Sequence, residues 1–140
     1  MKYLLTVNGF EYEVEFTDNE MNHMMIPLLT KLTTLQQQLN KRLVVFLAAP
    51  PAVGKSTLAV MLEKLSKERH EFCSLQQVSL DGFHHRSKYL KETQVDYLGQ
   101  PIYLNDIKGM PETFDLNKFS YFLKRLKNNN DPFLSNSNCL

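Results

Sequence analysis

Hydrophobic and polar residues change their spacing several times along this chain, and each change marks an element. Residues 3–7 and 10–16 flank Asn8-Gly9, a dipeptide suited to a type I′ turn because both central positions need positive φ. Phe10, Tyr12, Val14 and Phe16 alternate with Glu11, Glu13 and Glu15, which predicts a strand with one buried and one wet face. Thr17-Asp18-Asn19-Glu20 then fits a capping box, with Thr at the N-cap and Glu three residues later. Helical spacing follows through Met21, Met24, Met25, Leu28, Leu29, Leu32, Leu35 and Leu39. Pro27 should kink this helix or restart it as a second one. The methionines could suit an adaptable binding surface, but the amphipathic pattern reads as a core-facing stripe.

The spacing changes again at Leu43-Val44-Val45-Phe46-Leu47-Ala48, a continuous apolar run of the kind found in central parallel strands buried on both faces. A helix is predicted from Thr57 to about Arg69, with Leu58, Met61, Leu62 and Leu65 on its inner face. Gln77-Val78-Ser79-Leu80 reads as a second strand, stopped by Asp81-Gly82. Residues 86–112, with Gly99, Pro101, Gly109 and Pro111, read as a long irregular region of the kind that often carries function. Asp115 can cap a last helix bearing Leu116, Phe119, Phe122, Leu123 and Leu126 on one face, with Lys124, Arg125 and Lys127 at its C-terminal end. The Asn- and Ser-rich segment 128–140 is expected to be poorly ordered.

Composition narrows the function classes. The 140 residues are 43% hydrophobic and 22% charged, enough apolar material for the core of one domain or of part of a larger one. A net charge of +1 argues against a general nucleic-acid binder. Two lysines against five carboxylates in residues 1–40, and fourteen bases against ten acids in 41–140, make the larger part weakly attractive to an anionic ligand. Cys73 and Cys139 are too few for a disulfide framework or a Cys-rich zinc site. No signal-peptide pattern and no apolar run of ~18 residues is present, so a cytoplasmic setting without membrane contact is expected.

The chemistry concentrates at Ala49-Pro50-Pro51-Ala52-Val53-Gly54-Lys55-Ser56-Thr57, between a predicted buried strand and an amphipathic helix. That is the context of a phosphate-binding loop. Backbone amides of Ala52, Val53, Gly54, Lys55, Ser56 and Thr57 would face the phosphates, Lys55 would reach the outer ones, and the Ser56 hydroxyl would hold Mg²⁺. The standard motif opens with Gly where this chain has Ala49, whose methyl group fits if φ is negative there. The plainer alternative is an ordinary strand-to-helix loop with a solvated Lys55. Asp81, just past the second predicted strand, can hold Mg²⁺ or take a proton from a hydroxyl, or can simply make a turn.

Three ordered blocks resemble the P-loop kinases of small metabolites, the group of uridine kinase, phosphoribulokinase and bacterial pantothenate kinase. They are residues 51–57, Asp81-Gly82-Phe83-His84, and Lys108-Gly109-Met110-Pro111-Glu112-Thr113-Phe114-Asp115. The nearest likeness is to the nucleoside/nucleotide kinase-like branch, over residues 43–126. The resemblance implies an α/β fold with a P-loop-type parallel sheet flanked by helices, and transfer of the ATP γ-phosphate to a hydroxyl of a small molecule. It makes Lys55 and Asp81 catalytic, Asp81 as general base, and places His84 and residues 108–115 at the acceptor. His84 and His85 diverge as neighbours and do not suit one zinc ion. Solvation is the plainer reading for His84-His85, for Lys108, and for the Arg86, Lys88 and Lys91 cluster.

The resulting domain plan is a hairpin-and-helix extension at 1–42, a partial kinase domain at 43–127 and a disordered tail at 128–140. The family's further strands, its basic lid and its adenine-binding loop find no counterpart past Leu126. A truncated or frameshifted product, or a fragment, is therefore expected, weakly active at best and prone to self-association through an open sheet edge. The alternative is a non-catalytic nucleotide-binding remnant or interaction module. A GTPase-type switch fits less well, because nothing resembles a guanine-specificity motif.

Overall fold

Alternating side chains build the first element of the chain, described by a computed structural model over residues 1–7, 9–50 and 52–127. Strand β1 (Lys2–Val7) pairs antiparallel with β2 (Phe10–Glu15), Val7 opposite Phe10 and Leu5 opposite Tyr12. Gly9, at φ +85°, supplies a left-handed turn position, and Asn8 lies outside the described residues. Leu5, Val7 and Phe16 are buried as their face predicts, but Phe10 and Tyr12 are 66% and 52% exposed. The expected period is present, while this end of β2 stands clear of the core.

The capping box forms as expected. Thr17 Oγ1 accepts from the Glu20 amide at 3.1 Å, and Glu20 Oε2 accepts from the Thr17 amide at 2.8 Å. The second of these bonds, reinforced by the Thr17 hydroxyl, holds the Glu20 carboxyl below its ordinary range. Helix α1 (Asp18–Glu20) runs through a π-helical turn, Met21–Met25, into α2 (Ile26–Leu39). Pro27 sits in the first turn of α2, just past the π-helical turn, and the backbone stays helical through it, so the expected kink or restart takes the form of a change of helix type.

Helix α3 (Lys55–Glu68) buries Met61, Leu62 and Leu65 in one core with Leu5, Met25, Leu29 and Leu75. The N-terminal hairpin and arm therefore share a core with the helix that follows the candidate loop. Two buried hydroxyls tie down the chain after α3: Thr33 Oγ1 accepts from the Cys73 amide at 3.0 Å and Ser66 Oγ from the Leu75 amide at 2.9 Å. Glu63 Oε2 takes the Gln77 amide at 3.1 Å. Alternate amides of residues 73–77 are thus bonded to helix side chains.

The expected parallel sheet is not formed among the described residues. Residues 44–50 and 76–79 adopt no strand, and Val45, Phe46 and Leu47 are 43%, 67% and 47% exposed. The physical reason is non-local. A two-faced apolar strand needs hydrogen-bonded neighbours and covering helices, and its own sequence supplies neither. The fold is instead mixed α/β, with helices and two small antiparallel sheets.

The described residues divide into two compact units, Met1–Val78 and Ser79–Lys127. In the second, the region expected to be irregular holds α4 (Ser87–Glu92) and a hairpin of β3 (Gln94–Tyr97) with β4 (Gln100–Tyr103). Its turn uses Leu98 at φ +55° and Gly99 at φ +80°, with the Gly99 amide donating to Asp96 Oδ1 at 2.9 Å. Leucine at positive φ costs about 1–2 kcal/mol, so nothing in the composition announces this turn. Asp115 does cap the last helix, α5 (Leu116–Lys127): its Oδ1 accepts from the Lys118 amide at 2.9 Å. Residues 128–140, expected to be disordered, lie outside the described residues. Among the described residues no helix is long and apolar enough to cross a membrane.

Truncating Met25, which is fully buried, should cost about 2–5 kcal/mol in a chemical-denaturation experiment, whereas Tyr12→Ala should stay within about 1 kcal/mol. Thr17→Ala removes the hydroxyl but keeps the Thr17 amide, so it should raise the Glu20 titration only part of the way towards its ordinary range, as read by NMR. Because the folded carboxyl titrates low, the cap contributes above the ordinary carboxylate value and fades as pH falls through the folded one.

Candidate functional site

The loop before α3 has the backbone of a cradle. Gly54, the N-cap, lies at φ +84°, and a Cβ there would meet nothing within 4 Å but would be conformationally strained. Ala52 is also left-handed, at φ +61°, an uncommon state for a residue with a side chain. Ala49, which replaces the usual opening Gly, has no positive φ, so its methyl group is accommodated. No N-cap side chain bonds to the first turn of α3, and the helix ladder begins with the Leu58 amide on Gly54 O at 2.9 Å. Lys55 folds back so that Nζ donates to Pro50 O at 2.7 Å. Val53 and Ser56 are exposed and Thr57 is half-buried; Pro51 lies outside the described residues.

The second unit joins two sequence blocks that lie about 25 residues apart. The Asp115 amide donates to Phe83 O at 2.7 Å and the His85 amide to Thr113 O at 3.0 Å, bracketing a bridge between His84 and Phe114. Thr113 is fully buried. Its hydroxyl donates to Met110 O at 2.6 Å and accepts the Gly109 amide at 3.1 Å, closing a tight turn with Gly109 at φ +107°. Lys118 Nζ donates to Gly82 O at 2.9 Å and lies 5.6 Å over the Phe83 ring. Phe83 packs on Phe119 and Phe122 at 5.1 Å each. Thr113 lies in the third sequence block, but the pattern does not announce its role in joining the turn, and Lys118 lies outside all three blocks. Lys118 falls on the polar side of an amphipathic helix, where solvation is the default.

Asp81 sits on the 3-10 turn Leu80–Phe83, whose N-cap Ser79 accepts the Asp81 amide through Oγ at 3.2 Å. Its side chain is 81% exposed, with Oδ1 3.9 Å from His84 Nε2. The His84 side chain is 9% exposed, packs at 4.0 Å on Phe114, and leaves Nδ1 buried without a hydrogen-bond partner. Burial first, then the positive charge of Lys108, hold the imidazole below its ordinary pKa; Asp81 opposes them. His84 is therefore neutral near pH 7, close to the Asp81 carboxylate and within the field of the exposed Lys108. Asp81, His84 and Lys108 thus belong to one unit, and residues 52–57 to the other. Among the described residues no group of three or more His, Cys, Asp or Glu is placed to hold a metal.

Comparison with known proteins supports a kinase-like relationship. The uncharacterized protein YggC of Escherichia coli K12 is 38% identical over 127 residues, covering 90% of this chain and 50% of YggC. A pantothenate kinase of Enterococcus faecalis is 31% identical over 88 residues, 63% of this chain and 26% of the kinase. One from Yersinia pestis is 33% identical over 88 residues, 63% of this chain and 25% of that kinase. The chain spans half the length of YggC and about a quarter of these kinases. No protein-family model matches the chain, and no solved structure does.

His84 should titrate below about 6.5 by NMR, and Lys108→Ala should move it upward. An unmoved titration in Lys108→Ala would separate the two residues. A depressed folded pKa means that the folded state resists protonation. The stability His84 contributes is complete above about pH 6.5 and declines as pH falls below it.

Proposed function

We propose that this chain carries the phosphate-binding and acceptor elements of an ATP-dependent kinase acting on a hydroxyl group of a small metabolite. The observation that supports this most is the head of α3. Left-handed Ala52 and Gly54 turn the backbone into a helix start without a side-chain cap, and the Lys55 ammonium is drawn back over the loop onto Pro50 O. Such a start favours anions through its amides and the helix dipole, so the residues present fit a nucleotide's phosphates. The exposed Ser56, in the first turn, fits as a hydroxyl ligand for Mg²⁺. ATP supplies the transferable γ-phosphoryl group.

In this reading the amides of Ala52, Val53, Gly54, Lys55, Ser56 and Thr57 hold phosphate oxygens, and Lys55 exchanges the Pro50 carbonyl for the outer phosphates. Asp81, solvent-facing, takes the proton of the acceptor hydroxyl. Neutral His84 accepts or donates one hydrogen bond at the acceptor, and Lys108 offsets negative charge there. The acceptor classes are pantothenate-like molecules, nucleosides and sugars. The first heads the panel because relatives bear that name. Nucleotide binding without turnover is the second reading, favoured by the exposed apolar run immediately before the loop.

In thermal melts, Mg·ATP at a hundredfold excess over Kd should stabilise the chain by about 2.7 kcal/mol, and Lys55→Ala should remove that shift. An equal shift in both proteins would defeat the loop assignment. In an ATP-consumption screen across the three acceptor classes, Asp81→Asn should lower turnover by roughly 10²–10⁴ while keeping the melt shift. Near-normal turnover in Asp81→Asn would remove its role as base. Background turnover in the wild type, with the shift intact, would select the second reading.

A further inference from the structure

Residues 43–47 are the largest mismatch between what the sequence requires and what the described structure supplies. As a strand, this run would set Val45 and Leu47 on one face and Phe46 on the other. All three are exposed, at 43%, 47% and 67%, and Val78 in the second failed strand is 43% exposed. Leu43 and Leu75, at the starts of these segments, do reach the core. The amides of Cys73, Leu75 and Gln77 are anchored to Thr33, Ser66 and Glu63, so the second segment is held in place. An apolar run with the composition of a buried strand, together with Val78 of the second segment, thus leaves a fixed core and presents apolar side chains to water.

The relatives point to what covers them. A match of 127 residues in a chain of 140 takes in residues 43–78, so the corresponding segment of YggC lies inside the match and about an equal length of that polypeptide lies outside it. A second copy of the chain fits less well. Strands paired across a two-fold axis run antiparallel, whereas an apolar run that is hydrophobic on both faces is the mark of parallel strands covered by helices. We propose that residues 43–47 and Val78 form a strand-docking surface for a polypeptide equivalent to the unmatched half of YggC. That polypeptide would supply neighbouring parallel strands and the helices that cover their faces.

The test mixes the purified chain with the unmatched half of YggC as a separate polypeptide. Light scattering should give a one-to-one complex, and hydrogen exchange of amides 44–48 should slow on mixing. Phe46→Asp should weaken the complex by at least ~tenfold, as expected for a charge placed in a dry apolar interface. Phe10→Asp, equally exposed but on the hairpin, should bind like the wild type. Val45→Lys is the second variant, used if Phe46→Asp alters the far-ultraviolet spectrum or melt of the free chain. Absence of a complex at micromolar concentrations would overturn the proposal, as would a complex indifferent to both strip variants. A homodimer that Phe46→Asp dissociates would overturn the choice of partner and give the strip to a second copy.

Discussion

Burial of one face of α3 is the constraint on which the first unit depends. Met61, Leu62 and Leu65 leave water only because Leu5 of β1 and Met25 and Leu29 of the helical arm meet them. The same helix begins at left-handed Gly54, so the packing that fixes its axis also fixes where its first amides point. The hairpin and arm are therefore part of the loop's support. The start of α3 is held by a core that the residues before the loop provide.

The second unit reaches order by a different route. Its apolar core is small, and backbone bonds between residues 83–85 and 113–115 do much of the joining. Thr113 is central because its hydroxyl satisfies two backbone groups from a fully buried position. A buried hydroxyl that makes both bonds is inexpensive, whereas one that makes neither is not. This explains how Asp81 stays on the surface while its neighbour His84 is nearly enclosed three residues away.

What the sequence made legible was local. The Thr17–Glu20 box and the Asp115 cap each depend on a few adjacent residues, and both are present, while the helix predicted from Thr57 begins two residues earlier, at Lys55. Depth of burial was not legible: Phe10 and Tyr12 have the right period but no covering element. Nor was the β3–β4 hairpin, since Leu98 is not a residue that composition assigns to a left-handed turn. The run at residues 43–48 shows the limit most clearly. Its composition specifies a burial that only other segments can deliver. At the candidate site the identities of Asp81, His84 and Lys108 could be picked from sequence, but not the desolvation of His84, which comes from Phe114 and the fold around it.

The π-helical turn at Met21–Met25 has a geometric consequence for the arm. An α-helix advances about 100° per residue, so two successive steps of four residues would rotate a side chain about 80° away from its starting direction. Met21, Met25 and Leu29 are spaced in that way, yet all three are buried in one core. The wider turn lags behind an α-helix and takes back part of the drift. It acts as a phase corrector, letting the short capped segment after the hairpin and the long helix after Pro27 present their apolar residues along a single line.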